Sequence, residues 1–202
     1  MERFRFVDRT GADAPRQRPT RPVVIPKEAI EEEVRRLASL PAPANGRRES
    51  LIANPEAGVG DALAPGISVT LSVLKPGERT RPIRHNSAVA CFSIDGAGEA
   101  VVGARRIRFG RYDVWTIPSW TTYQNVNDGD RLQVRLTYSN AALLEKLNVH
   151  VAEDDPPLEA PPAEPAEGAR GATAAFPLRG GSALLMPYEK LIHPDVVARE
   201  AL

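Results

Sequence analysis

From residue 66 to residue 138 the chain alternates apolar and polar side chains with a period of two. The runs are short and rich in Val, Ile, Thr and aromatic residues: ISVTLSVL, AVACFSI, EAVVG, RRIRF, DVWTIP, TYQNV and RLQVRLTY. Successive side chains of a strand point to opposite faces, so each run is expected to form a half-buried β-strand. The breaks fall at KPGE, DGAG, VGAR and NDGD, and Asp95-Gly96 and Asp128-Gly129 are hairpin signals. Many short strands separated by Gly-rich turns predict an antiparallel sandwich or barrel. Ahead of them the period changes. Ile30, Val34 and Leu37 form one apolar stripe at helical spacing, with Glu31, Glu32, Arg35 and Arg36 on the other faces. This predicts a helix from Pro26, suited to a first helical position, to about Leu40, docked on the main body by its stripe. Pro41 and Pro43 end it, and residues 41–50 read as a turn-rich connector. After Tyr138, AALLEKL predicts a short amphipathic helix closing the barrel.

The flanks bury little. Residues 1–25 carry Arg5, Arg9, Arg16, Arg18 and Arg21 among prolines and read as a flexible basic arm. Residues 26–46 are the helix and connector, and residues 47–152 the barrel. Residues 153–176, rich in Pro, Ala and Glu, read as a disordered or polyproline-like linker. Residues 177–202 turn apolar again and need a surface to dock on, either their own barrel or another.

Charge removes some function classes. Lys+Arg 26 equals Asp+Glu 26, so no global field draws the chain to nucleic acid or anionic lipid. No run of about 18 apolar residues exists and the first residues lack a signal-peptide core, so a soluble, cytoplasmic protein is expected. Cys91 is the one cysteine and sits in an apolar strand run, which suits a buried thiol rather than a nucleophile. One hydrophobic core is the working expectation at this length.

Two stretches carry candidate chemistry. Residues 77–96 read GERTRPIRHNSAVACFSIDG: Gly77, five residues, Ile83-Arg84-His85, then Gly96. Residues 118–127 read PSWTTYQNVN, with Tyr123 five positions after Pro118 and Asn127 four further on. These spacings resemble the two metal-binding hairpins of the cupin superfamily, most closely one half of a bicupin aromatic ring-cleaving dioxygenase of the gentisate 1,2-dioxygenase type. Trp120 fits the P-x-W pattern of that branch. The resemblance covers about two fifths of the chain. It implies an all-β double-stranded β-helix, or jelly-roll, barrel, here with an N-terminal helix and a Pro/Ala-rich C-terminal extension. It also implies histidines where this chain has Ile83 and Tyr123, with Val89 near an optional Glu position, and a glycine where it has Tyr112.

His85 alone cannot hold Fe(II), which needs about three neutral His or carboxylate ligands on one face. Ile83 has no lone pair, and the Tyr123 phenol ionises far above neutral pH. We therefore expect no resident metal, with His85 a barrel-lining histidine hydrogen-bonded to a neighbour such as Tyr123. His150 and His193, outside the motifs, read as structural. If the period-two pattern holds, Ile83, His85, Tyr123 and Asn125 face the interior as a ligand pocket. Trp115, Trp120 and Arg135 extend it with a stacking wall and an anion anchor for a small aromatic or carboxylate ligand, although both tryptophans also suit core packing.

Three functions follow from this reading. The first is a small-molecule-binding or structural, oligomerising cupin without its own catalytic iron, partnered by its own copy as a homodimer or by a second cupin subunit. The C-terminal run LLMPYEKLIHPDVVAREAL supports it by resembling the connector between bicupin barrels. The alternative is an Fe(II)-dependent ring-cleaving dioxygenase, with iron on His85, Tyr123 and an unrecognised third ligand. The third is a metal-free acid/base pair of His85 and Tyr123, the only catalytic candidates.

Overall fold

The computed structural model describes residues 10–11, 22–55, 62–159 and the backbone of 185–186. Most of the predicted arm, most of the predicted linker, and the docking segment other than 185–186 lie outside the described residues. A helix α1, Lys27–Ser39, precedes strands β1 (Arg48–Leu51), β2 (Ser68–Leu74), β3 (Ile83–His85) and β4 (Val89–Asp95). Then come β5 (Gly98–Val102), β6 (Arg105–Phe109), β7 (Val114–Ile117), β8 (Tyr123–Val126) and β9 (Gln133–Ser139). A short helix α2 (Ala141–Lys146), β10 (Ala152–Asp154) and the two-residue β11 (Leu185–Met186) complete the order. The strands form two antiparallel sheets, β1-β2-β9-β4-β7-β11 and β10-β3-β8-β5-β6, the jelly roll that the cupin resemblance implies. No described helix is long and apolar enough to cross a membrane.

The six-stranded sheet has an unusual sidedness. On β2 and β9 the apolar residues Leu71, Val73, Val134 and Leu136 lie on the outer face, where α1 covers them with Ile30, Val34 and Leu37. Leu37 is fully buried there, a contribution of about 1.5–3 kcal/mol from that side chain. The alternate residues of the same strands, among them Ser72, Gln133 and Arg135, are polar and also buried. A second apolar cluster fills one part of the space between the sheets: Val89, Cys91, Ala100, Val102, Phe109 and Trp115 belong to it. Two clusters on opposite faces of one sheet thus replace the single core expected. The polar positions of β2 and β9 make the rest of the interior polar.

The motif landmarks are turn and anchor positions. Gly96 has φ +79°, and a Cβ there would collide with the Leu132 carbonyl oxygen, so no other residue fits without moving backbone. Asn127 is fully buried. Its Nδ2 donates to Leu74 O at 3.0 Å and Arg131 O at 2.8 Å, and its Oδ1 accepts from Gly129 N at 3.1 Å. It ties the end of β2 to the turn before β9. Tyr112, where the resemblance wanted glycine, does take φ +70°. A bulky residue there is strained by about 1–3 kcal/mol, offset by stacking on Phe92 at 6.1 Å and by Arg111 over its ring at 4.5 Å.

The barrel segment read from residue 47 opens on β1, which takes in the last residues of the turn-rich run 41–50 and whose Arg48 is buried and pairs with Glu78 while donating to Leu40 O at 3.1 Å. The segment read as linker from residue 153 begins with barrel. β10 pairs with β3, Ala152 opposite His85 and Asp154 opposite Ile83, and Glu153 meets Arg84 at 2.6 Å. At the far end Leu185 pairs with Trp115 and Met186 with Val114, so this part of the docking segment lies on the chain's own β7.

Cys91 is buried, and desolvation pushes its thiol up to about 11. A thiol-specific reagent at pH 8 is therefore expected to leave the native chain unlabelled and to label one thiol per chain after unfolding. Rapid native labelling would show that the interior opens readily.

Candidate functional site

The polar part of the interior holds a cavity of about 160 Å3. Period-two alternation on β3 and β8 brings Ile83, His85, Tyr123 and Asn125 to it. From the opposite sheet come Arg135 on β9 and Cys91 on β4, and from the first strand and its lead-in Arg47 and Glu49. Ile83 and Tyr123 are direct cross-strand partners in the β3–β8 ladder. The two altered ligand positions, forty residues apart in sequence, are therefore neighbours, with an aliphatic chain against a phenol ring.

His85 is used at both ring nitrogens. Its Nε2 lies 3.1 Å from the Tyr123 hydroxyl, the rings meeting edge-on at 85°. Its Nδ1 lies 2.7 Å from Ser87 Oγ and 3.2 Å from Ser87 O, so either neutral tautomer finds a partner on each side. Ser87 Oγ continues to His150 Nε2 at 3.4 Å, and His150 Nδ1 lies 3.6 Å from a Glu145 carboxylate oxygen. Burial, then the neighbouring His150 and Arg47, push the His85 pKa below its usual value, favouring the neutral ring. Burial, with Cys91 and Glu49 adding to it, pushes the Tyr123 phenol well above its ordinary range. The pair is a neutral imidazole and a neutral phenol at pH 7.

Trp115 and Trp120, expected as a stacking wall, do not line this cavity. Trp115 is fully buried in the apolar part of the interior, stacked on Phe109 with centroids 4.0 Å apart. Trp120 has φ +61°, donates its backbone N–H to His85 O at 2.7 Å, and is 44% exposed with Arg84 5.1 Å above its ring. The positive φ belongs to the turn before β8 and carries the ring outward.

Sequence reasoning missed Arg47, Glu49, Ser87 and His150. Arg47 and Glu49 belong to a charged stretch with no apolar period to signal a strand, and pairing with β2 brings them in. His150 follows α2, and no local pattern links it to Ser87.

Two curated relatives match. The 5-nitrosalicylic acid 1,2-dioxygenase of Bradyrhizobium sp is 28% identical over 102 residues, 48% of this chain and 49% of that protein. The gentisate 1,2-dioxygenase of Haloferax sp is 30% identical over 144 residues, 70% of this chain and 39% of that protein. Among solved structures, salicylate 1,2-dioxygenase from Pseudaminobacter salicylatoxidans superposes with a TM-score of 0.60 at 22% identity, over 68% of this chain and 40% of that one. A tryptophan-to-tyrosine variant of it reaches 0.63 at 19% identity, over 86% and 51%. The chain has the cupin fold and resembles one half of a bicupin dioxygenase. No family model matches it. The cupin spans half or less of the length of the curated relatives it matches.

The cavity of this cupin does not offer the donor set of a three-histidine iron centre. Among the described residues His85 is the one imidazole lining it, Ile83 has no donor atom, and burial holds Tyr123 protonated. Among the described residues no three His, Cys, Asp or Glu side chains converge as metal ligands.

Proposed function

We propose that this cupin is a small-molecule-binding or structural, oligomerising half without a catalytic iron of its own, working beside a second cupin that is either its own copy or a separate subunit. The observation that carries the reading is the cross-strand placement of Ile83 against Tyr123, with the Tyr123 hydroxyl hydrogen-bonded to His85. Where a metal would draw three donors together, this chain places a self-satisfied pair and an aliphatic side chain.

The names of the relatives favour a second reading, a ring-cleaving dioxygenase with iron on His85, Tyr123 and a further ligand. Elemental analysis of the purified chain, before and after reconstitution with Fe(II), separates the two. We expect iron far below one atom per chain, unchanged by His85→Ala. Near-stoichiometric iron that is lost in that variant would overturn the proposal.

A further inference from the structure

Two residues that line the cavity each carry a buried polar atom with no partner. Arg135 is 2% exposed. Its Nη1 donates to Gln133 Oε1 at 2.7 Å and its Nη2 stands 3.9 Å from Glu49, too far for a hydrogen bond, while its Nε has no acceptor. Asn125 is 3% exposed and leaves Oδ1 unpartnered, and a half turn of the amide presents Nδ2 at the same place. Buried polar atoms in native proteins are almost always satisfied, so a guanidinium N–H left open on a cavity marks a place for an acceptor.

Charge and size narrow the acceptor. Two guanidiniums, Arg47 and Arg135, line the cavity against one carboxylate, Glu49, which leaves one positive charge uncompensated. His85 and Tyr123 are neutral and add no charge. A volume of about 160 Å3 holds about five waters at about 30 Å3 each, or an organic ligand of about four to six non-hydrogen atoms. A benzene ring bearing a carboxylate exceeds that, and ordinary ligand pockets start near about 300 Å3.

We propose that the cavity binds a small aliphatic monocarboxylate, of the size of acetate or propionate, with its carboxylate on Arg135 Nε and the Asn125 amide and its alkyl end towards Ile83. A carboxylate matches a guanidinium edge better than a spherical ion does. This rests on the binding reading above and names its ligand class.

The test is an NMR titration of the full chain, treated with chelator, at fixed ionic strength. Sodium acetate is expected to move the Arg135 Nε–H and Asn125 amide signals saturably, with half-saturation on the order of 1 mM. Benzoate should not move them, chloride should compete at least ten-fold more weakly than acetate, and Arg135→Gln should weaken acetate at least ten-fold. Arg135→Lys keeps the charge and serves where the glutamine variant fails to fold. No saturation by acetate in the folded wild type overturns the proposal, and so does tighter binding of benzoate or equal binding of chloride. Metal content of the same sample before chelation reports separately on the proposed function. Iron-free protein that ignores acetate sinks only the carboxylate site, and iron-loaded protein sinks the metal-free reading whatever acetate does.

Discussion

Replacing Ile83 and Tyr123 together by histidine is expected to turn the cavity into a divalent-metal site. Ile83 and His85 share one face of β3, and Tyr123 lies directly opposite Ile83, so the double variant gathers three imidazoles where the native chain has one. Three neutral nitrogen ligands on one face suit first-row metals and leave open positions for solvent. Competition with a chromophoric chelator should show Co(II) or Zn(II) affinity moving from weaker than about 1 mM to about 1 μM, some 4 kcal/mol of binding. Ile83→His alone should gain far less, because Tyr123 still occupies His85 Nε2. The double variant should lose about 1–3 kcal/mol of stability without metal, since new polar groups enter a partly buried place, and should recover it on loading. A double variant that folds and still ignores metal would show that the β3–β8 geometry, and not only its side chains, has departed from the metal-binding form.

Glu78→Gln is expected to be the most destabilising conservative change in the described chain. Arg48 has its side chain 2% exposed, and Glu78, 23% exposed, is its charge partner, with Nη2 to Oε1 at 2.8 Å. Glu78 Oε2 also accepts from Lys75 N at 2.9 Å, closing the turn at Gly77. Removing the charge leaves a buried guanidinium uncompensated, which costs about 3 kcal/mol and lowers the melting midpoint by about 6–12 °C. Adding Arg48→Met should restore most of the loss. The pH dependence follows from the signs. The hydrogen bond from Arg48, the largest influence, holds the Glu78 pKa below its usual value. Its contribution is complete above the unfolded pKa near about 4.3 and is lost as pH falls through the folded value. The His85 pKa is also depressed, by burial first, so unfolding takes up a proton below about 6.5 and stability starts to fall there. Acid titration of the wild type should show both declines, and Glu78→Gln should reduce only the lower one, which keeps the contribution of Glu33, held down to about 2 by its hydrogen bonds with Arg36 and Ser50. An unchanged acid limb in that variant would assign it to other carboxylates.

Seven apolar runs became strands because each alternates strongly enough for one face to be buried. The strands that the pattern passed over are those without that signal. β1 is Arg-Glu-Ser-Leu, β3 is Ile-Arg-His and β10 is Ala-Glu-Asp, and all three exist because a neighbour supplies hydrogen bonds. At the site, His85, Tyr123, Asn125 and Arg135 were legible because a period of two fixes their face once the strand is known. Trp120 was not, because a single positive φ sends it to solvent. Arg47 and Glu49 were not, because their place depends on register with β2.

The outward-facing apolar side of the six-stranded sheet bears on the order in which this chain acquires structure. α1 leaves the ribosome before the strands it docks on, yet that surface includes Val134 and Leu136 of β9, which reach Val73 and Leu71 only through long-range pairing. Pairing across some sixty residues is slow compared with forming a helix turn. This helix, made before the strands it docks on, is thus among the last elements to be secured. Until β9 emerges, its stripe of Ile30, Val34 and Leu37 faces water or whatever chaperone is at hand.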